Sequence, residues 1–278
     1  MQQRTIFTNG IFLSQARPVY QASALLPFIE QEAMSLYSRD VGIPILHFWR
    51  HKHALLLGSR DATLPGVKEV ALDLTKQGIA VAVRPFGGLA VALDLGVVNV
   101  SMIIPYPPNL DEAFWMFAKW LQESCMQEGN VTIGEVDGAY CPGRFDLAIH
   151  GVKFAGIAQR RIQDVAIISA FVNVVHTVND REGLVETFYR KAIYTQKEWP
   201  QFVPTIVRGK VGDLFKEPSL DQQCLVNQWM DVVVGHIENE AMQCLTLPPI
   251  DERYYREAYK RLIKRLRLQE WIVLDEKM

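Results

Sequence analysis

The sequence holds no apolar run of about 18 residues, the length a helix needs to span a bilayer. Met1 to Gly10 lacks the basic-then-apolar layout of a secretory signal. Cysteine is scarce, with 4 in 278 residues. None belongs to a Cys-x-x-Cys pair, so neither a disulfide framework nor a zinc ribbon is expected. Charge has no dominant sign: 29 Lys and Arg stand against 31 Asp and Glu, a net charge of −2. That balance argues against whole-molecule binding to nucleic acid or to an anionic membrane. No Gly-Lys-Ser/Thr follows a glycine loop and no His-Glu-x-x-His occurs, so the P-loop and zincin signatures are both missing. Repeats and low-complexity tracts are missing as well. These absences point to a protein of the reducing cytoplasm, with no metal and no cofactor.

Hydrophobic residues make up 49% and charged residues 22%, enough for a sizeable core in one large domain with an appendage or in two small domains. Apolar residues recur at helical spacing over Pro27–Tyr37, from Val67 to Leu74 before Gly78, and over Leu110–Gln127. In the third of these, Phe114, Ala118, Leu121 and Cys125 form one stripe. Ile43–Arg50 and Ala54–Gly58 read as strands joined by a hairpin at His51-Lys52. That turn breaks the common face that His47, His51 and His53 would share on an unbroken strand. Ile79–Arg84, a turn at Gly87-Gly88 and a strand from Leu89 follow. Val97–Ile104 is then a strand stopped by Pro105, Pro107 and Pro108. Phe145–Ile149, Val152–Arg160 and Val165–Val175 are separated by short polar joints, which predicts an antiparallel meander. Helices over Leu220–Ile237 and Arg253–Leu268 complete the order. The class is α+β, a mixed and largely antiparallel sheet flanked by helices. A core over 1–215 carries a helical C-terminal extension over 216–278. The last helix bears basic residues from Arg253 to Arg267 around a stripe of Tyr255, Tyr259, Leu262 and Leu266. It is either a solvated face or a dock for an acidic partner.

Three segments are candidates to carry chemistry, and for the first the alternative is a small loop residue with no role. Cys141 lies in Asp137-Gly-Ala-Tyr-Cys-Pro-Gly-Arg144, where two glycines and a proline predict a loop that leaves the thiol reachable. Lys153 interrupts the apolar strand Val152-Lys-Phe-Ala-Gly-Ile-Ala158. Period two places it with Ala155 and Ile157 on one face. A lysine there either snorkels to water or is committed to a site. An ammonium near a thiol favours the nucleophilic thiolate. In Arg84-Pro-Phe-Gly-Gly-Leu-Ala-Val91, paired glycines let backbone approach a ligand and offer it N–H groups, although a hairpin turn also accounts for them.

In order, these blocks resemble the lipoate/biotin protein ligase and octanoyltransferase superfamily, over roughly Ile43 to Leu245. Arg84…Gly87-Gly88…Ala90-Val91 is similar to its Arg-Arg-x-Ser-Gly-Gly-Gly-Ala-Val signature. Gly143-Arg-Phe-Asp146 with Lys153-Phe-Ala-Gly156 is similar to its Gly-Arg-x-Asp…Lys-x-Ser/Ala-Gly block. Pro85, Phe86 and Leu89 depart from the ligase loop and weaken an ATP-dependent reading. Cys141, just before Gly143-Arg144, resembles the cysteine octanoyltransferases of Gram-positive bacteria, the amidotransferase branch above all. The resemblance implies a biotin/lipoate ligase-like core and an acyl-thioester on Cys141 with Lys153 beside it. It implies substrate contacts from Arg84, Gly87, Gly88, Ala90, Gly143, Arg144, Asp146 and Gly156. The implied partners are the glycine-cleavage H protein as donor and lipoyl domains of 2-oxo acid dehydrogenases as acceptor. An acyl-carrier-protein donor, an ATP-dependent ligase and a non-catalytic lipoyl-domain binder are the alternatives.

Overall fold

The computed structural model describes residues 7, 9–14, 17–194, 199–216, 221–241 and 243–266. In chain order its elements begin β1 (Ile11–Leu13), β2 (Val19–Tyr20), α1 (Leu26–Val41), β3 (Ile45–His51), β4 (His53–Leu57), α2 (Val67–Lys76), β5 (Ala80–Val83) and β6 (Val91–Asp94). Then come β7 (Val97–Pro105), α3 (Leu110–Glu123), β8 (Val131–Ile133), β9 (Leu147–Ile149), β10 (Val152–Ile162), β11 (Val165–Asn173) and α4 (Arg181–Ala192). The last three are α5 (Gln222–Glu240), β12 (Cys244–Thr246) and α6 (Glu252–Leu266). No helix among the described residues is long and apolar enough to cross a membrane.

The large sheet runs β12-β1-β3-β7-β11-β10-β9-β8, with β2 beside β3, and a small sheet runs β5-β4-β6. From β3 to β8 every pair in the large sheet is antiparallel, while β1, β2 and β12 join in parallel. Side chains on β7 alternate between two apolar layers. Val98, Val100 and Met102 cluster with Phe117 of α3 and Trp229 of α5. Ile103 clusters with Ile29 and Ala33 of α1 on the other face. Both faces are covered, so β7 is buried along its whole length and its sequence is a near-continuous apolar run. Helix boundaries follow local chemistry. Gly42 ends α1 in the left-handed region, and the Asn109 side chain caps α3 by accepting from Glu112 N–H.

The antiparallel meander is present as β9, β10 and β11. Three other local expectations need correction. His51-Lys52 is no hairpin: β3 belongs to the large sheet and β4 to the small one, so the chain changes sheets there. Gly87-Gly88 is no hairpin turn either. β5 and β6 both pair with β4, and the glycines belong to a loop that carries the chain across it. On α6 the buried stripe is Tyr254, Ala258 and Leu262, with Tyr255 half-buried and Tyr259 40% exposed. The small Ala258 lets α6 lie close against α1, where the Tyr254 hydroxyl donates to Asp40 at 3.0 Å. Arg256 and Arg261 pair with Glu252 and Glu257 one turn back, and Arg267 lies outside the described residues. Within 216–278, α5 buries Leu225, Trp229 and Val233 in the core shared with α3, and β12 extends the large sheet beside β1.

Candidate active site

A cleft of about 430 Å³ opens where the 84–89 loop, the 137–146 loop, the N-terminal end of α3 and β10 converge. Arg84, Gly87, Gly88, Cys141, Gly143, Arg144, Asp146 and Gly156 line it, joined by Leu110, Phe114, Phe145 and Phe171. Two of the expected residues stand behind it. Ala90 is fully buried and offers its N–H to the Tyr189 hydroxyl at 3.2 Å. Lys153 is fully buried beneath the 140–146 loop.

Cys141 occupies the left-handed region, with φ +46, which few non-glycine residues adopt and which costs backbone strain. The turn aims the thiol at the glycine loop. Its Sγ accepts from Leu89 N–H at 3.2 Å and from Arg84 Nη2 at 3.2 Å. Arg84 is fixed in turn by donating to Leu89 carbonyl at 2.9 Å. Gly88, with φ +97, makes this approach possible. A Cβ there would run into Arg84 Nη2 and come within 3.0 Å of Cys141 Sγ. The donors on the thiol are therefore a guanidinium and a main-chain N–H.

Lys153 reaches Cys141 by another route. Its Nζ donates to the Cys141 carbonyl at 2.6 Å and the Tyr140 carbonyl at 3.2 Å, and pairs with Asp146 Oδ2 at 2.8 Å. The face predicted for it by period two is the wrong one. A β-bulge interrupts the pairing of β10 with β9 between Lys153 and Ala155. Such a bulge sets two residues against one and turns the side chain that precedes it. Lys153 consequently lies opposite Ala148, on the Phe171 side of the sheet, 5.3 Å from that ring, whereas Ala155 points into the opposite core. Its main chain also pairs with the 210–212 segment: Lys153 N–H donates to Lys210 carbonyl and Gly212 N–H to Lys153 carbonyl, both at 2.9 Å. Gly156 follows because its missing Cβ leaves room for the Phe171 ring and for Lys153 Cε, which would stand 3.2 Å away.

Asp146 ties these parts together. One carboxylate oxygen meets both Lys153 and Gly143 N–H, the latter at 2.9 Å. Burial pushes its pKa up to about 6, against the pull of Lys153. Arg144 stands at the mouth, 63% exposed, stacked 4.6 Å over Phe145 and paired with Asp111 at 2.5 Å.

A support network lies behind the glycine loop, and the sequence carried no signal for it. Asp61 accepts from Gly58 N–H at 2.7 Å and from the Tyr189 hydroxyl at 2.9 Å, and that hydroxyl accepts from Ala90 N–H. Burial raises Asp61 to about 6. Tyr189→Phe keeps the ring but strands one Asp61 oxygen, Oδ1, and Ala90 N–H in the interior. The expected loss of stability is about 1–3 kcal/mol, read from urea unfolding. An unchanged midpoint would show that both groups find other partners.

The fold is shared with lipoate protein ligases. A bipartite lipoate protein ligase of an archaeal lipoylation system, from Thermoplasma acidophilum, matches 95% of this chain and 100% of its own with TM-score 0.61 and 17% identity. The sequence profile of the lipoyl protein ligase A/B catalytic domain matches residues 29–238, and the chain belongs to that family. Among its relatives is the octanoyl-[GcvH]:protein N-octanoyltransferase of Anoxybacillus flavithermus, 33% identical over 229 residues, which are 80% of this chain and 81% of that one. A protein of the same description from Geobacillus kaustophilus is 35% identical over 192 residues, covering 66% and 68% of the two chains.

Proposed function

We propose that this chain is an octanoyl-[GcvH]:protein N-octanoyltransferase that carries the acyl group on Cys141 and serves protein lipoylation. The observation that carries the reading is the Cys141 thiol, held on strained backbone in the cleft between the Arg84 guanidinium and Leu89 N–H. The relatives' descriptions supply the donor.

The Cys141 thiolate attacks the amide carbonyl of octanoyl-lysine on the H protein. The C–N bond breaks, the donor lysine departs with a proton, and a thioester forms. An acceptor lysine then attacks the thioester, loses a proton and displaces the thiolate. Arg84 and Leu89 N–H steady the sulfur when it is anionic. A guanidinium does not release protons in proteins, so Arg84 acts as fixed charge only. Lys153 holds the Cys141 carbonyl and Asp146 from behind the cleft, and the proton that the leaving amine requires comes through this Lys153–Asp146 pair, whose carboxyl lines the cleft. Lipoyl domains of 2-oxo acid dehydrogenases are the acceptors in this reading.

The test offers octanoyl-H protein, octanoyl-acyl carrier protein, and ATP with octanoate in parallel, with a lipoyl domain as acceptor. Transfer from octanoyl-H protein without ATP is the expected result. Transfer only from the carrier protein, or only with ATP, overturns the donor assignment.

A further inference from the structure

A second, smaller space of about 30 Å³ adjoins the cleft and shares Arg84, Gly156, Ala158 and Phe171 with it. Its remaining walls lie further across the sheet, on β3, β7 and β11, and on α1 above. Strand register explains its composition. Gly156, Phe171, Asn99 and Trp49 stand opposite one another across β10, β11, β7 and β3. Two residues along, the next row on the same face holds Ala158, Ser169 and Ser101. Phe28, Leu56, Phe86 and Val91 make the rest of the wall apolar.

The floor is different. Gln31 of α1 donates to Ser101 Oγ at 2.7 Å, and the Ser101 and Ser169 hydroxyls are 2.7 Å apart. Gln31 Oε1 and Asn99 Nδ2 have no protein partner, although the two residues are only 1% and 6% exposed. An acceptor and a donor facing a space of this size suit one buried water. The amide of Gln31 cannot turn away without breaking its bond to Ser101.

We propose that this space is the blind end of the acyl slot, and that Gln31, backed by Asn99, is the polar stop that sets acyl chain length. The inference rests on Cys141 as the acyl carrier. A tail that ends short of Gln31 leaves the floor hydrated. A longer tail displaces that water and offers only methylenes to the amide groups, so each stays buried and unpaired. The expected discrimination against chains two to four carbons longer than octanoyl is about tenfold or more.

The experiment loads Cys141 from octanoyl, decanoyl and dodecanoyl N-acetylcysteamine thioesters and follows adduct formation by intact mass. The wild type should load octanoyl at least tenfold faster than dodecanoyl. Gln31→Leu, which keeps the volume and removes the amide, should narrow that ratio severalfold. Gln31→Ala, which also opens space, should narrow it further. Circular dichroism reports which variants fold. Equal wild-type loading of all three chains overturns the proposal without any variant, as does an unchanged ratio in a folded Gln31 variant. No adduct at Cys141 from any thioester would instead overturn the underlying acyl-carrier reading.

Discussion

Replacing Cys141 with alanine should abolish octanoyl transfer, by about 10⁴-fold or more, as loss of a covalent nucleophile does elsewhere. After mixing with donor, the wild-type chain should gain one octanoyl group that maps to Cys141, and the variant should gain none. An adduct that survives in Cys141→Ala would sink the thioester route. The backbone adds a second readout. Alanine at φ +46 keeps the Cβ that makes this region unfavourable, whereas glycine removes it. Cys141→Gly should therefore be about as stable as Cys141→Ala or more so, by up to ~1 kcal/mol, while equally inactive. Most glycines placed in a buried loop destabilise, so this ordering reports the strained backbone at position 141. If the variants still bind a lipoyl domain, recognition is separate from chemistry.

The two motif blocks were legible because each is local. The glycine pair, the loop cysteine and the Gly-Arg-Phe-Asp run each lie within a few neighbouring residues, and the folded chain brings them to one cleft. The meander was legible because three long strands with short joints have few other ways to pair. The errors arose where a single residue changes the outcome. One bulge residue reverses the face of Lys153, and nothing in Val152-Lys-Phe-Ala-Gly156 marks it; the main-chain partner of Lys153 is the 210–212 segment, far along the chain. His51-Lys52 looks like a hairpin turn, yet β4 finds its partners in β5 and β6. Tyr189 and Asp61 are 128 residues apart in sequence and carry no motif, so their joint support of the glycine loop appears only in three dimensions. The electrostatics at the thiol changed for the same reason. Sequence suggested Lys153 as its cation, whereas the folded loop brings Arg84 to the sulfur and leaves Lys153 on the carbonyl behind it.

That division of labour makes Lys153 the most informative position to change. Lys153→Met keeps length and apolar packing but removes the charge. It leaves the Asp146 carboxylate buried without a cation, and it takes a donor from the Tyr140 and Cys141 carbonyls. Breaking a buried pair in this way costs about 3–5 kcal/mol, and transfer should be lost. The deficit should depend on pH. Burial holds Asp146 at about 6, above its usual value of 3.8, and Lys153 pulls it down. A carboxyl raised on folding contributes most stability in acid and loses that contribution as pH climbs through the folded value. In the parent protein that loss is complete a little above pH 6. Without Lys153 the folded value rises further, so the variant goes on losing stability at pH values where the parent has levelled off. Urea unfolding should therefore show a larger gap between parent and Lys153→Met at pH 8 than at pH 5. Equal gaps would mean that the ammonium is not stabilising the Asp146 carboxylate. The double variant Lys153→Met with Asp146→Asn removes the stranded charge and should recover much of the stability. Transfer should stay absent, because the amide at 146 and the thioether at 153 supply no proton for the leaving amine. Recovery of transfer together with stability would reduce Lys153 to a scaffold for the Cys141 loop.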